Sequence, residues 1–276
     1  MSGTEIEPRI DPHAVSREQP SPPSEPYAQD GADAARGRAR KEMPFLEHLE
    51  ELRKALIDSL WGIVVGSTIG WFVAPRLIDF LIRPAGQLVF LGPADALNLR
   101  MKASFFIGLV LASPLVLWKL WSFVAPGLLP LERRLIAPLV ISSTTLFVTG
   151  LVFADLVLAP LTFKFLLSFQ SENMKPLLTA DSYFGFLAKL CIAFGAMFQL
   201  PVVIGILSWA GVIPARFLAA RWREAVLVIL FVAAILTPPD VVSQILMAGP
   251  ILILYTLSVG IAFVIEKRKK RKSDGA

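Results

Sequence analysis

Residues 241–272 read VVSQILMAGPILILYTLSVGIAFVIEKRKKRK. The apolar run Val241–Ile265 is separated by one residue, Glu266, from six consecutive basic residues, Lys267 to Lys272. A helix of about 20 apolar residues crosses the hydrocarbon core of a bilayer, and Lys/Arg clusters mark its cytoplasmic side. This stretch therefore predicts a membrane-spanning helix that ends in the cytoplasm.

Four more apolar runs are long enough to cross a bilayer, and one further run is shorter. The whole chain is 55% hydrophobic and 18% charged, with a mean hydropathy of +0.62, whereas soluble domains carry about 25% charged residues. The short run, Ala225–Leu236, has the length of a re-entrant or buried helix. The long runs are Ala55–Ala74, Ala103–Ala125, Leu135–Phe163 and Tyr183–Trp209.

Charge decides whether the short run crosses. If it does and the N-terminus is inside, 18 Lys or Arg residues flank the spans on the cytoplasmic side and six on the other. If it does not, the basic tail is left outside, against the positive-inside rule. We predict an all-α polytopic membrane protein with six spans, a short fifth span, and both termini cytoplasmic. The spans lie at about 55–74, 103–125, 135–163, 183–209, 223–237 and 241–265.

Proline occurs in or at the end of several spans, where it removes a backbone donor and tends to kink a helix. This pattern predicts a kinked bundle with a concave face. The prolines are Pro114, Pro138, Pro160, Pro201 and Pro250.

The two ends of the chain differ from the membrane domain, 43–265. Residues 1–42 are polar and lack hydrophobic periodicity, so we expect a disordered cytoplasmic tail. Residues 266–276 form a basic cytoplasmic tail, which we interpret as an anchor to anionic lipids rather than a nucleic-acid-binding arm.

Signatures of catalysis and of cofactor binding are missing from the sequence. The two histidines, His13 and His48, lie outside the spans, and the single Cys191 cannot form an intramolecular disulfide. No zinc-ligand cluster and no phosphate-binding loop is present. We predict that the chain is not an enzyme and needs no cofactor or metal.

Acidic residues precede the first and third spans. Glu47, Glu50 and Glu51 are interpreted either as helix-start residues that pair locally with Arg53 and Lys54, or as a binding surface. Glu132, beside Arg133 and Arg134, has the same two interpretations. Carboxylates at the membrane surface would accept bidentate contacts from guanidinium groups of a partner.

Three polar residues lie within or between the later spans. Gln199 precedes Pro201 and either bonds to carbonyl groups freed by that proline or serves function. Lys189 is expected to extend toward the outer surface. Asp240, between two spans, is expected to cap the last helix.

Four blocks in register resemble the TatC family, the multi-spanning core subunit of the twin-arginine protein translocase. The resemblance runs from about residue 43 to residue 265. The blocks are HLEELRK (His48–Lys54), SP…W…FVAPGL…ERR (Ser113–Arg134), FG..FQLP (Phe194–Pro201) and LTPPDVVSQ (Leu236–Gln244).

The resemblance implies a receptor in the bacterial inner membrane for folded precursors that carry twin-arginine signal peptides, driven by the proton-motive force. It implies that Glu51 and Glu132 contact the paired arginines, with Leu52, Arg53 and Arg133 on the same surface.

The resemblance also implies partner subunits and an intramembrane polar site. The end of the fifth span, with Ile235, Leu236 and Thr237, would dock single-span TatA-like or TatB-like subunits, and further copies of the chain would assemble with it. A residue matching Gln199 would lie in the concave face, although glutamate is common there. Ala55 stands where many members have a basic residue, which weakens that part of the binding surface.

Two other functions stay open from the residues alone. A secondary transporter of a small solute would line its path with Gln199, Lys189 and Asp240, but no paired halves are evident in the sequence. An assembly factor without cargo would tolerate replacement of Glu51 and Glu132.

Overall fold

The computed structural model describes residues 26–82, 88–124, 136–170, 177–237 and 240–273, and most side chains from residue 48 onward. These ranges are helical apart from short connections, and they contain no β-strand. The helices are α1 (Pro26–Ile82), α2 (Asp95–Val124), α3 (Ile136–Phe153), a π-helical turn (Ala154–Leu158), α4 (Ala159–Leu167), α5 (Ala180–Met197), α6 (Leu200–Trp209), α7 (Ala215–Ala220), α8 (Trp222–Leu236) and α9 (Val241–Ser273). All contacts described below lie within Glu50–Ala276.

The start of α1 differs from the expected disordered tail. The helix begins at Pro26, inside the stretch 1–42, whereas residues 1–25 lie outside the described ranges. The division of the chain at residue 43 stays a prediction.

Two connections meet at one end of the membrane domain. Val89, between α1 and α2, forms a β-bridge with Thr179, between α4 and α5. The Val89 amide donates to the Leu178 carbonyl over 3.1 Å, and the Ala180 amide donates to the Val89 carbonyl over 3.2 Å. We call this the bridged end. The last turn of α2 and the start of α3 lie at the opposite end.

Helices α1 and α2 approach each other closely through glycine. A methyl group built on Gly66 would lie 2.7 Å from the Gly108 carbonyl oxygen and 3.0 Å from its Cα. Small residues at such crossings let helix backbones pack closely in membranes. Toward the bridged end, the Arg100 guanidinium lies 4.5 Å from the Trp71 ring and donates to the Trp71 carbonyl over 3.2 Å. The first two spans therefore form a tight hairpin.

Helix α5 is the centre of the bundle. Buried side chains recur along it at helical spacing, and it packs against α2 and α3. The contact with α3 also depends on glycine, because a methyl group on Gly150 would lie 2.6 Å from the Phe194 carbonyl oxygen. The buried side chains of α5 include Tyr183, Phe184, Leu187, Leu190, Cys191 and Phe194.

Two of the five prolines coincide with breaks in the helices. Pro160 follows the π-helical turn at the start of α4, and Pro201 lies in the first turn of α6, after α5 has ended. Each position lacks a backbone donor that an unbroken helix would need. In contrast, Pro114 and Pro250 lie inside continuous helices.

The last helices form a second group around α9, which packs against α6, α7 and α8. The Glu266 carboxylate accepts from the Ala215 amide at 2.5 Å, and the Lys269 ammonium donates to the Trp209 carbonyl over 3.2 Å. The start of the basic tail is therefore a helical extension of α9 that holds the α6–α7 turn.

Five helical segments in the described ranges are long and apolar enough to cross a membrane, and they correspond to the five long runs predicted from the sequence. They are His48–Ile82, Asp95–Phe123, Ala137–Leu167, Ala180–Trp209 and Val241–Lys269. Their large side chains are widely exposed, including Phe72 at 76% and Ile141 at 68%, which only an apolar solvent favours. The sixth predicted span matches α8, whose 15 residues extend about 22 Å. The count of six crossings stays a prediction.

Candidate functional site

The predicted binding surface on α1 is solvent-accessible. Glu51 and Arg53 are exposed and Leu52 is half-buried. The neighbouring Glu50 pairs with Arg53 at 3.5 Å and with Lys54 at 4.0 Å, as the local-pairing interpretation expected. The helix-start interpretation is wrong, because α1 begins at Pro26 and Glu51 lies far inside it.

The second half of that surface falls outside the described residues. Glu132, Arg133 and Arg134 all lie between positions 124 and 136, where α2 ends and α3 begins. Their closeness to Glu51 therefore stays a prediction.

An ion pair that the sequence did not predict lies just below Glu51. The Lys119 ammonium on α2 contacts the Asp58 carboxylate on α1 at 2.5 Å. Asp58 is two helical turns beyond Glu51, about 10 Å along the axis. Both residues lie near the opposite end of their spans. That common position was the only indication in the sequence that they could pair. The pair joins α1 to α2 directly beneath the predicted binding surface.

Gln199 belongs to a polar chain across three helical segments. Its side-chain amide donates to the Ser143 carbonyl on α3 over 3.0 Å, and the Trp121 indole on α2 donates to the Ser143 hydroxyl over 2.9 Å. The Gln199 side-chain oxygen is buried without a partner among the described residues. The amide therefore bonds to α3 rather than to a carbonyl freed by Pro201. This arrangement fixes α2, α3 and the α5–α6 junction together near the opposite end.

The three residues predicted to dock a partner differ in accessibility. Ile235 is 69% exposed, Leu236 is half-buried, and Thr237 is 7% exposed. The Thr237 hydroxyl donates to the Ala233 carbonyl over 2.9 Å, inside its own helix end. Ile235 is therefore the member of this group that a partner would touch most directly.

Asp240 begins α9. Its carboxylate accepts from the Ser243 amide over 2.6 Å, which confirms the predicted helix cap. At the same junction, the Gln244 side chain donates to the Leu230 carbonyl on α8 over 2.9 Å. These two side chains fix the turn between α8 and α9.

Comparison with known proteins identifies the family. The profile of the family described as Sec-independent protein translocase protein (TatC) matches residues 47–250. The chain belongs to the TatC family. This confirms the resemblance read from the four sequence blocks, and it makes the chain a component of the Sec-independent protein translocase.

Relatives in other bacteria match over nearly their whole length. The TatC of Carboxydothermus hydrogenoformans is 41% identical over 234 residues, which cover 83% of this chain and 96% of that protein. The TatC of Aquifex aeolicus is 37% identical over 236 residues, which cover 83% and 98%. A crystal structure described as the twin arginine translocase receptor TatC is 35% identical, with a TM-score of 0.73 over 79% of this chain and 99% of that one. The chain therefore has the TatC fold.

Proposed function

We propose that this chain is the receptor subunit of the translocase and binds the twin-arginine signal peptides of folded precursors. The observation that carries the proposal is the exposed carboxylate of Glu51 on α1, directly above the Asp58–Lys119 pair. Fixed carboxylates suit paired guanidinium groups because each carboxylate can accept two parallel hydrogen bonds. A 35% identical solved TatC is described as a twin arginine translocase receptor, which supports the same role here.

In this proposal Glu51 and Glu132 bind one arginine each. Leu52 provides an apolar contact beside Glu51, and Arg53 and Arg133 complete the surface and exclude further cations. Arg53 is 70% exposed and engages Glu50 at 3.5 Å.

The proposed topology has six crossings, with both termini in the cytoplasm of the bacterial inner membrane. Five long apolar helices and the charge bias of 18 against six support it. The short α8 then crosses with local thinning of the bilayer. The opposite end becomes cytoplasmic, so that Glu51 faces the compartment where precursors are made. The expected concave face is part of the same proposal, with Gln199 near its cytoplasmic side.

We also propose that single-span TatA-like or TatB-like subunits dock along α8, with further copies of this chain in the complex. The exposed Ile235 supports this assignment, because a 15-residue span with an apolar exposed face has little cover of its own. Transport in this complex is driven by the proton-motive force.

Photo-crosslinking of a twin-arginine precursor to membranes tests the receptor role. The variants are Glu51→Ala and Glu132→Ala, and the matched control is Glu50→Ala, which removes a neighbouring carboxylate already paired with Arg53 and Lys54. We expect crosslinks with the native chain and with the control. We expect their loss with Glu51→Ala, with Glu132→Ala, and with a precursor whose two arginines are lysines.

Two outcomes would contradict the receptor role. Crosslinking that is unaffected by all three changes would make the carboxylates surface residues of an assembly factor. Solute uptake by vesicles that contain only this chain would favour the secondary transporter. The structure gives that transporter little support, because Gln199 is bonded to α3 and Asp240 caps α9.

A further inference from the structure

A groove of about 690 Å³ lies at the bridged end, between α2, α5 and the last residues of α8. Its walls are mainly apolar and partly aromatic, with Phe105 from α2, Phe186 and Ile192 from α5, and Ile235 from α8. Phe105 is 55% exposed and Ile235 is 69% exposed. The groove therefore opens sideways, toward the space that the bilayer occupies.

The charges that line the groove do not balance. At its rim the Lys102 ammonium lies 2.7 and 2.8 Å from the two oxygens of the Asp181 carboxylate, so these charges cancel. Lys189 also lines the groove and is exposed, and no described residue forms an ion pair with it. An ammonium within a membrane span is costly without an anion beside it. The lining therefore has a net charge of +1 and favours an anionic occupant.

Lys189 lies deeper along α5 than the polar rim of the groove. Lys189 is eight residues beyond Asp181 on α5, about 12 Å along the axis. Helical side chains incline toward the helix N-terminus, which carries this ammonium back toward the rim. Gly185 lies one helical turn closer to the rim, and a methyl group built on it would have no atom within 4 Å. The space beside Lys189 is therefore open between the polar rim and the apolar floor.

We propose that this groove binds one anionic phospholipid. Its phosphate lies between Lys189 and the Lys102–Asp181 rim, and an acyl chain follows Phe105 and Phe186 into the membrane. A basic recess between membrane helices is a recognised form of headgroup site. A lipid satisfies both the Lys189 ammonium and the apolar walls, whereas an apolar helix would satisfy only the walls.

A lipid bound in the groove would lie beside the exposed Ile235 and would enlarge the apolar surface at the end of α8. The lipid would lie against the end of α8, where it would cover part of the short span on its α5 side. The proposal does not depend on signal-peptide binding, because the groove is at the bridged end and Glu51 is at the other.

Native mass spectrometry of the full-length chain in detergent, with phosphatidylglycerol or phosphatidylcholine added, tests the proposal. The variant is Lys189→Gln, and the matched control is Lys164→Gln, which neutralises another exposed lysine at the bridged end outside this groove. We expect the native chain and the control to retain one phosphatidylglycerol. We expect Lys189→Gln to retain it about fivefold more weakly, the effect of one lysine on an anionic lipid.

Three further arms make the result decisive. Lys189→Arg keeps the charge and should retain the lipid as the native chain does, which separates charge from a change in folding. Inorganic phosphate should not displace the lipid, because it cannot fill the aromatic floor; displacement would show a free-anion site and overturn the proposal. Equal retention of phosphatidylglycerol by the native chain and Lys189→Gln would also overturn it. A third result would also overturn it: a single-span partner copurifies with the native chain but not with Lys189→Gln, while lipid retention is unchanged. That result would show that the groove binds an acidic residue of the partner.

Discussion

Replacing Gly66 by alanine should loosen the hairpin of α1 and α2. The added methyl group would lie 2.7 Å from the Gly108 carbonyl oxygen and 3.0 Å from its Cα. Both are backbone atoms, so no side-chain rotation relieves the contact and the helices must move apart. Overpacking of this kind costs about 1–3 kcal/mol.

A control substitution isolates the effect of the close approach. Gly260 lies within α9, is exposed, and has no atom within 4 Å of an added methyl group. Alanine in place of glycine within a helix stabilises it by about 1 kcal/mol, and both substitutions share this gain. We therefore expect Gly66→Ala to be less stable than Gly260→Ala by about 1–3 kcal/mol.

The free energy of unfolding, measured by sodium dodecyl sulfate titration in mixed micelles and followed by tryptophan fluorescence, gives this difference. A second readout is a disulfide crosslink between cysteines introduced at the Asp58 and Lys119 positions, which should form more slowly once the helices separate. If Gly66→Ala and Gly260→Ala unfold at the same detergent fraction, the helices do not depend on backbone contact at Gly66, and this account of the α1–α2 hairpin is wrong.

Three further substitutions should each lower the free energy of unfolding in the same titration. Asp240→Ala removes the acceptor for the Ser243 amide at the start of α9 and should cost about 1 kcal/mol, whereas Asp240→Asn should restore most of it. Trp121→Phe deletes the donor to the Ser143 hydroxyl in a buried site, so we expect a loss of about 1–2 kcal/mol; unchanged stability would mean that this hydroxyl has another partner. Gln199→Met keeps the size of the side chain but removes both its bond to the Ser143 carbonyl and a buried oxygen that has no partner among the described residues, so it should cost at most about 1 kcal/mol, without a change in the circular dichroism of the folded state.

The spans could be predicted from sequence because bilayer thickness sets a length that apolar runs must reach. Val241–Ile265, for example, corresponds to the apolar part of α9. The pattern of apolar residues does not indicate where a helix begins or ends outside the bilayer. Polar residues before position 43 carry no span signal, yet α1 begins at Pro26, and that start changed the interpretation of Glu51.

The contacts between spans could not be predicted, because they join residues far apart in sequence. Apart from their position near the same end of the spans, nothing in the sequence pairs Lys119 with Asp58, which lies 61 positions away, and Gln199 reaches Ser143 across 56 positions. Local signals did predict local structure: Asp240 caps α9, and the helix breaks before Pro201. The unbalanced charge of Lys189 became visible only when the fold placed Lys102 and Asp181 together at the rim of its groove.

The bridge between Val89 and Thr179 constrains the order in which the molecule can be assembled. Synthesis proceeds from the N-terminus, and the ribosome adds Thr179 ninety residues after Val89. The hairpin of α1 and α2 can therefore close early through Gly66 and Arg100, while its connecting segment keeps the Val89 amide and carbonyl unpaired until α5 arrives. The two connections at the bridged end can therefore be joined only after most of the bundle has been synthesised.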